Sequence, residues 1–344
     1  MKHIRFFSYF SILVAIILMV LAFSCSNKPD TALVIYAYDS FAGEWGPGPA
    51  IIAGFEAKTG IKVEMIVPGD SIEALARLIE EKSSPRKGSA ASKQADILLG
   101  LDGNTLPMAV AKDVLAAYKP LEADAIPEHL VLDQNWFATP YDFGSFCIMW
   151  DSQKLELPPQ SLEDLTKPEY HKKLVIMDPR TSTPGLAFVA WTKSVYKDGM
   201  GEYWKRLKPS ILTMAPGWDL GYGLFTSGEA PLVLSYTTSA AYHAEYETAG
   251  RYKPLEFSDG HPVQVEGVAI VKGTKHRKEA EAFIDFMLSP FVQELLPTTN
   301  WMYPVVPGTA LPKSYEEAPL PKKLLPNEEA LEKAVKLALD SLVY

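Results

Sequence analysis

Cysteine is almost missing: 344 residues contain two, Cys25 and Cys147. If the first serves a membrane anchor, the second has no partner, which excludes a disulfide framework and leaves packed cores to hold the chain. Positive charge is also short. Lys and Arg number 33 against 42 Asp and Glu, for a net charge of −9. Removing residues 1–24, which carry Lys2 and Arg5 but no acid, makes the remainder more acidic by two charges. That balance argues against a nucleic-acid partner, because a phosphate backbone is held by excess Lys and Arg. Internal repeats are absent, and low complexity is confined to Ser83–Ser92 (SSPRKGSAAS), which reads as a surface loop. What remains is ordinary globular composition, 47% hydrophobic and 22% charged, over a length sufficient for two lobes with separate cores.

Only the first residues depart from this composition. Lys2 and Arg5 precede an apolar run from Phe6 to Phe23 with no acid before Cys25, the layout of a secretory signal. Leu21-Ala22-Phe23-Ser24 ahead of Cys25 resembles a bacterial lipobox, although Leu21 stands four residues before the cysteine and Phe23 is bulky. The expected layout is a signal peptide over 1–24, lipidation at Cys25 and a polar tether over 25–31. The run is also near the length of a membrane span, so an uncleaved anchor is the competing reading. Both place the rest of the chain on the extracytoplasmic side of a membrane.

From Ala32 onward short apolar strands alternate with amphipathic helices. Strands are expected at Leu33–Tyr38, Lys62–Val67, Ala95–Leu99, Cys147–Trp150, Leu174–Met177, Ile211–Met214, Pro231–Ser235 and Val263–Val271. Helices are expected at Pro49–Lys58, Ile72–Lys82, Leu186–Tyr196, Gly221–Ser227, Lys278–Leu288 and Glu328–Leu342. This is an α/β alternation, from which parallel sheets covered by helices follow.

Ligands of such sheets collect beyond the carboxyl ends of strands, and there this chain gathers its unusual residues. Tyr38, Asp39 and Trp45 follow the first strand, Asp70 and Ser71 the second, and Asp102 the third. Trp218 follows Ile211–Met214, and Tyr236, Thr237, Thr238 and Ser239 follow Pro231–Ser235. After Leu174–Met177 comes Asp178-Pro179-Arg180-Thr181-Ser182-Thr183-Pro184. Pro184 suits a first helical turn with Thr183 as its cap, so Ser182 and Thr183 add hydroxyls to a positive helix end that can hold an anion. The same residues also suit plain helix capping. Rings attract organic cations, carboxylates attract amino groups, and the helix start attracts a phosphate or hydroxyl tail. Thiamine and its phosphates combine all three features.

Five segments carry a family resemblance: YAYDSFAGEWGPGP (Tyr36–Pro49), ILLGLDGN (Ile97–Asn104), DPRTSTPG (Asp178–Gly185), LVLSYTTSAAYH (Leu232–His243) and NWMYP (Asn300–Pro304). Together they resemble the periplasmic thiamine-binding proteins of bacterial importers over about Leu33–Pro304. The resemblance implies the type II periplasmic-binding-protein fold, two α/β lobes joined by crossing strands with a ligand cleft between them. It implies crossings near Tyr141–Trp150 and Ser258–Val271, so that 32–143 and 258–344 form a first lobe with C-terminal helices and 144–257 a second. Matched position by position, the ligand contacts fall on Asp70, Ser182, Thr183, Trp218 and Tyr236–Ala240, with Ala240 closing that run. Tyr38, Trp45, Tyr242 and Trp301 are further aromatic candidates, and Ser71 stands where the family has glycine.

The resemblance implies capture of thiamine, thiamine monophosphate or thiamine diphosphate and delivery to an ABC permease and its ATPase, with no resident cofactor or metal. Two other classes compete. A thiamine-degrading transferase of this fold would use Cys147 as nucleophile, but Cys147 lies in the apolar run Phe146–Trp150 with no histidine beside it. A ferric-ion-binding protein of this fold would use tyrosines such as Tyr236 and Tyr242, whose spacing is wrong for an adjacent pair. His243 is expected to satisfy a neighbouring backbone group.

Overall fold

A computed structural model describes residues 32–83, 94–246, 250–325 and 331–343. The signal, Cys25 and the tether lie outside the described residues, as does all of the Ser83–Ser92 loop except Ser83.

Strand β1 (Leu33–Tyr38) leads into the short helix α1 (Asp39–Ala42) and then α2 (Gly48–Thr59). Next come β2 (Val63–Gly69), α3 (Ser71–Ser83), β3 (Ile97–Leu101), α4 (Leu106–Ala111) and the two-residue β4 (Leu115–Ala116). Six consecutive buried residues form β1, and their alternation splits the core in two. Leu33, Ile35 and Ala37 face one apolar cluster with Phe55 and Phe283, while Val34 and Tyr36 face another with Leu75 and Leu78. A strand covered on both sides needs no polar face, so it reads as a continuous apolar run.

The long strand β5 (Thr139–Asp151) follows. The second lobe holds β6 (Leu174–Met177), α5 (Thr183–Tyr196), α6 (Met200–Leu207), β7 (Ile211–Ala215), α7 (Trp218–Thr226), β8 (Leu232–Tyr236), α8 (Ser239–Tyr246) and β9 (Tyr252–Leu255). Its core contains Trp191, Trp204 and Phe225, all fully buried. The chain returns through β10 (His261–Val271), α9 (Arg277–Met287), α10 (Pro290–Thr299), β11 (Tyr303–Pro304) and β12 (Leu324–Leu325), and α11 (Glu332–Val343) ends it. Ala334 and Ala338 of α11 belong to the second lobe's core, so this last helix closes on that lobe and not on the one to which β10 returns.

The sheet order is β2-β1-β3-β10-β5-β8-β6-β7. β1 runs parallel to β2 and β3, and β6 runs parallel to β7 and β8. The expected parallel pairing holds within each lobe, while at the centre, where the chain crosses between lobes, β3–β10, β10–β5 and β5–β8 are antiparallel. The reason is topological, since a strand that carries the chain back to a lobe must run against the strand that left it. β5 pairs with β10 through Ser145 and with β8 from Phe146 onward, so one strand belongs to both halves of the sheet.

Candidate functional site: the interlobe cleft

A cleft of about 660 Å³ opens between the lobes. From the first lobe it is lined by Tyr38, Asp39, Ser40, Trp45, Asp70 and Ser71, and from the second by Thr183, Trp218, Asp219, Tyr222, Tyr236, Thr238, Ser239, Tyr242 and Tyr246. Gln264 and Glu266 of β10, with Thr298, Asn300, Trp301 and Met302 behind α10, complete it. Tyr38, Asp39, Asp70, Ser71, Thr183, Trp218, Tyr236 and Ser239 sit where a strand ends or a helix begins, as the α/β architecture dictates.

Aromatic rings form two groups. Trp218 stacks on Tyr222 with centroids 4.7 Å apart, tilts against Tyr236 at 6.5 Å, and is fixed by its indole N–H donating to Ser235 Oγ at 3.0 Å. Trp301 meets Tyr242 and Tyr246 edge-on at 5.4 and 5.8 Å. Its backbone takes the left-handed conformation (φ +54°) just after α10, a position glycine usually fills. Keeping an indole there despite the strain marks Trp301 as a residue held for its side chain.

No Lys, Arg or His is among the described residues that line the cleft, whereas Asp39, Asp70, Asp219 and Glu266 bring carboxyls. Burial, followed by the charges of Asp39 and Asp70, raises the Asp219 carboxyl to about 7, and its Oδ1 is buried without a hydrogen-bond partner. The cavity is aromatic and electronegative, suited to a flat organic cation.

Asp70 departs from the expected arrangement. Its carboxylate reaches across the cleft to the start of α5, accepting hydrogen bonds from Ser182 Oγ (2.9 Å), Thr183 N–H (3.0 Å) and Thr183 Oγ1 (2.9 Å). Ser71 Oγ lies 3.1 Å from Thr183 Oγ1. The anion at this helix end is therefore the protein's own carboxylate, from the other lobe. Thr183 is not the cap but the first helical residue, and Ser182, extended at φ −129°, is the N-cap without a side-chain cap bond of its own. Burial raises the Asp70 carboxyl above its usual range, opposed by the bonds from Thr183 and Ser182.

Other expected residues divide cleanly. Tyr38, Trp45, Asp70, Ser71, Thr183, Trp218, Tyr236, Thr238, Ser239, Tyr242 and Trp301 all reach the cleft, but Ser182, Thr237 and Ala240 are buried behind it. Asp102 is internal to its own turn, accepting from Thr105 and Asn104 at the start of α4. His243 Nε2 pairs with the Tyr222 hydroxyl at 2.7 Å. Cys147 is fully buried, lies outside the cleft lining, and has its thiol pushed up by burial, the opposite of what a nucleophile needs. The Tyr236 hydroxyl donates to Gln264 at 3.2 Å, and no group of three or more His, Cys, Asp and Glu that could hold a metal occurs among the described residues. The iron reading is accordingly the weaker one.

Sequence reasoning missed Asp219, Tyr222, Tyr246, Gln264, Glu266 and Asn300. Asn300 lay inside a recognised motif, and Glu266 carried a readable signal as the one charge within the mostly apolar strand Val263–Val271.

Two α/β lobes joined by antiparallel linking strands around an aromatic cleft define a type II periplasmic solute-binding protein. The pattern of the bacterial extracellular solute-binding proteins matches residues 92–326. The chain is 39% identical to the thiamine-binding periplasmic protein of Brucella abortus, covering 92% of each chain. It is 40% identical to that of Escherichia coli, covering 85% and 86%. A solved periplasmic thiamin binding protein superimposes with a TM-score of 0.82 at 36% identity, covering 90% of this chain and 96% of that one. A ferric binding protein from Campylobacter jejuni, at 21% identity and TM-score 0.69, shares the fold alone. The chain belongs to the periplasmic thiamine-binding protein family.

Proposed function

We propose that the cleft captures thiamine outside the cytoplasm and presents it to an ABC permease driven by its ATPase. The observation that carries this reading is the lining itself, with eight aromatic rings, those of Tyr38, Trp45, Trp218, Tyr222, Tyr236, Tyr242, Tyr246 and Trp301, and four carboxyls uncompensated by any lining base. Thiamine carries a fixed positive charge on one ring and an amino group on the other, so ring faces and carboxylates both find a counterpart. Closure of the two lobes distinguishes the loaded protein for the permease, and no bond is broken. The test is the small molecule that co-purifies, oxidised to a fluorescent product, with calorimetric titration of thiamine. Absence of both signals would remove the reading.

Thiamine monophosphate and diphosphate extend it. Their tails suit the N-terminus of α5 once Asp70 leaves it, since the free N–H groups and the Ser182 and Thr183 hydroxyls then face a phosphate. Replacing both hydroxyl residues by alanine should weaken the monophosphate more than thiamine, and equal losses would reduce the pair to structural roles. Cys25 anchors the protein through a lipid in this reading. Cys25→Ser should abolish labelling with a fatty-acid probe, and unchanged labelling would sink the anchor.

A further inference from the structure

Asp142 on β5 and Glu266 on β10 are register partners on the two antiparallel strands that link the lobes, so both side chains leave one face of the ribbon. Both are buried, at 0% and 5% exposure. Glu266 Oε2 accepts hydrogen bonds from the hydroxyls of Tyr38 at 2.6 Å and Tyr141 at 2.8 Å. Its Oε1 accepts from Gln264 Nε2 at 2.6 Å. Asn300 Nδ2 donates to Asp142 Oδ2 at 2.6 Å, but Asp142 Oδ1 is buried with no hydrogen-bond partner. Neither carboxyl joins an ion pair among the described residues. Tyr236, whose hydroxyl binds Gln264, feels the negative charge of the pair from β8, together with that of Asp70 and Asp102.

Two desolvated carboxyls side by side with no cation cannot both be ionised, so one keeps a proton. The donors say which. Glu266 has a donor on each oxygen, the arrangement that favours a carboxylate, whereas Asp142 Oδ1 accepts no hydrogen bond and is free to carry the proton. Burial, then the charge of Glu266, holds the Asp142 carboxyl well above its ordinary range.

We propose that Asp142 and Glu266 form the cation subsite of the cleft, sharing one proton when it is empty and releasing that proton to solvent when a cationic ligand seats over Glu266. The inference rests on the thiamine reading and deepens it. Glu266 lines the cleft while Asp142 does not, so the ligand meets one carboxylate and the second answers by ionising. The pair then carries two negative charges against the ligand cation, in place of one. Because its members lie on the linking strands, ligand charge acts where the lobes hinge. The register of β5 and β10 slips between Glu266 and Gly267, at the pair itself.

The test is calorimetric titration of thiamine into the full chain, at one pH, in buffers of different ionisation heat, so that the protons exchanged per ligand are counted. Wild type should release a substantial fraction of one proton, with affinity rising with pH by at most about tenfold per unit. Asp142→Asn should still bind thiamine but release none through the pair and show a flattened pH profile, while Glu266→Gln should lose affinity at least about tenfold. Binding to wild type without proton release overturns the proposal even if neither variant folds. Release that persists in Asp142→Asn and vanishes in Asp219→Asn also overturns it, by assigning the proton to the second lobe's acid. If wild type does not bind thiamine at all, the thiamine reading falls and this inference with it.

Discussion

Asp70 is the residue on which the two lobes meet. Three donors from the α5 start converge on its carboxylate, and each bond to a charged acceptor contributes about 1.5–3 kcal/mol when the alternative is a buried, unpaired group. Asp70→Asn keeps the shape but turns one acceptor oxygen into an amide donor, facing the donors of Ser182 or Thr183. Ser182→Ala removes one bond and leaves two. Asp70→Asn should therefore lower both the denaturation midpoint and thiamine affinity by more than Ser182→Ala does. Denaturant titration and calorimetry on the two variants check the order. Equal losses in both would mean that the carboxylate contributes nothing beyond the single serine bond.

At the scale of elements, the strand-to-helix turn from β6 into α5 is closely packed beneath the site. A Cβ on Gly185 would stand 2.5 Å from the Met177 carbonyl oxygen and 2.7 Å from the Asp178 carbonyl carbon, both backbone. Neither atom can swing aside, so Gly185→Ala should push the α5 start away from β6 and from Asp70. Overpacking of this kind costs about 1–3 kcal/mol. The expected signature is a lower denaturation midpoint at unchanged denaturant dependence, together with weaker thiamine binding; full stability would show that the turn relaxes freely. The strand and the helix start of this stretch were legible in the sequence because a buried apolar run and a proline have clear local meanings, whereas the two hydroxyls suited both a cap and an anion site. β1 and β6 were legible to the residue for the same reason, being continuous apolar runs. Helices α4, α6, α8 and α10 were not recognised. In α10 an internal Pro297 breaks the pattern, and α8 begins inside the run Tyr236–Ala240 that was read for contacts alone. The bridge from Asp70 to α5 was illegible because its ends lie 112 and 113 residues apart, and local pattern cannot say that a carboxylate in one lobe fills the helix end of the other.

The whole molecule shows the same acid imbalance as a dependence of stability on pH. Burial raises the carboxyls of Asp70, Asp102, Asp142 and Glu266, and that of Asp219 to about 7. A carboxyl whose folded pKa exceeds its unfolded value holds its proton more tightly when folded. Between those two values the native state binds more protons, so stability falls as pH rises. Acids nearer the surface and held low by cations, such as the partly buried Asp164 beside Lys167, act in the opposite sense but only as pH falls below the ordinary carboxylate range. His261, lowered by burial, acts in the opposite sense as pH rises toward its unfolded value near 6.5, against Asp219, whose raised carboxyl acts up to about pH 7. The ligand-free protein should therefore melt at a lower temperature at pH 8 than at pH 5.5, and Asp219→Asn should remove part of the slope below pH 7. Thiamine acts on the other side of the balance. At about 100 times its Kd it adds about 2.7 kcal/mol by mass action, and at a fixed thiamine concentration the gain grows with pH because a cation favours ionised carboxyls. Saturating thiamine should consequently flatten the melting temperature across pH 5.5–8. Thermal scans with and without ligand test both statements: a ligand-free melting temperature that climbs over this range would mean that the buried acids do not hold their protons, and the electrostatic account of the cleft would fall with them.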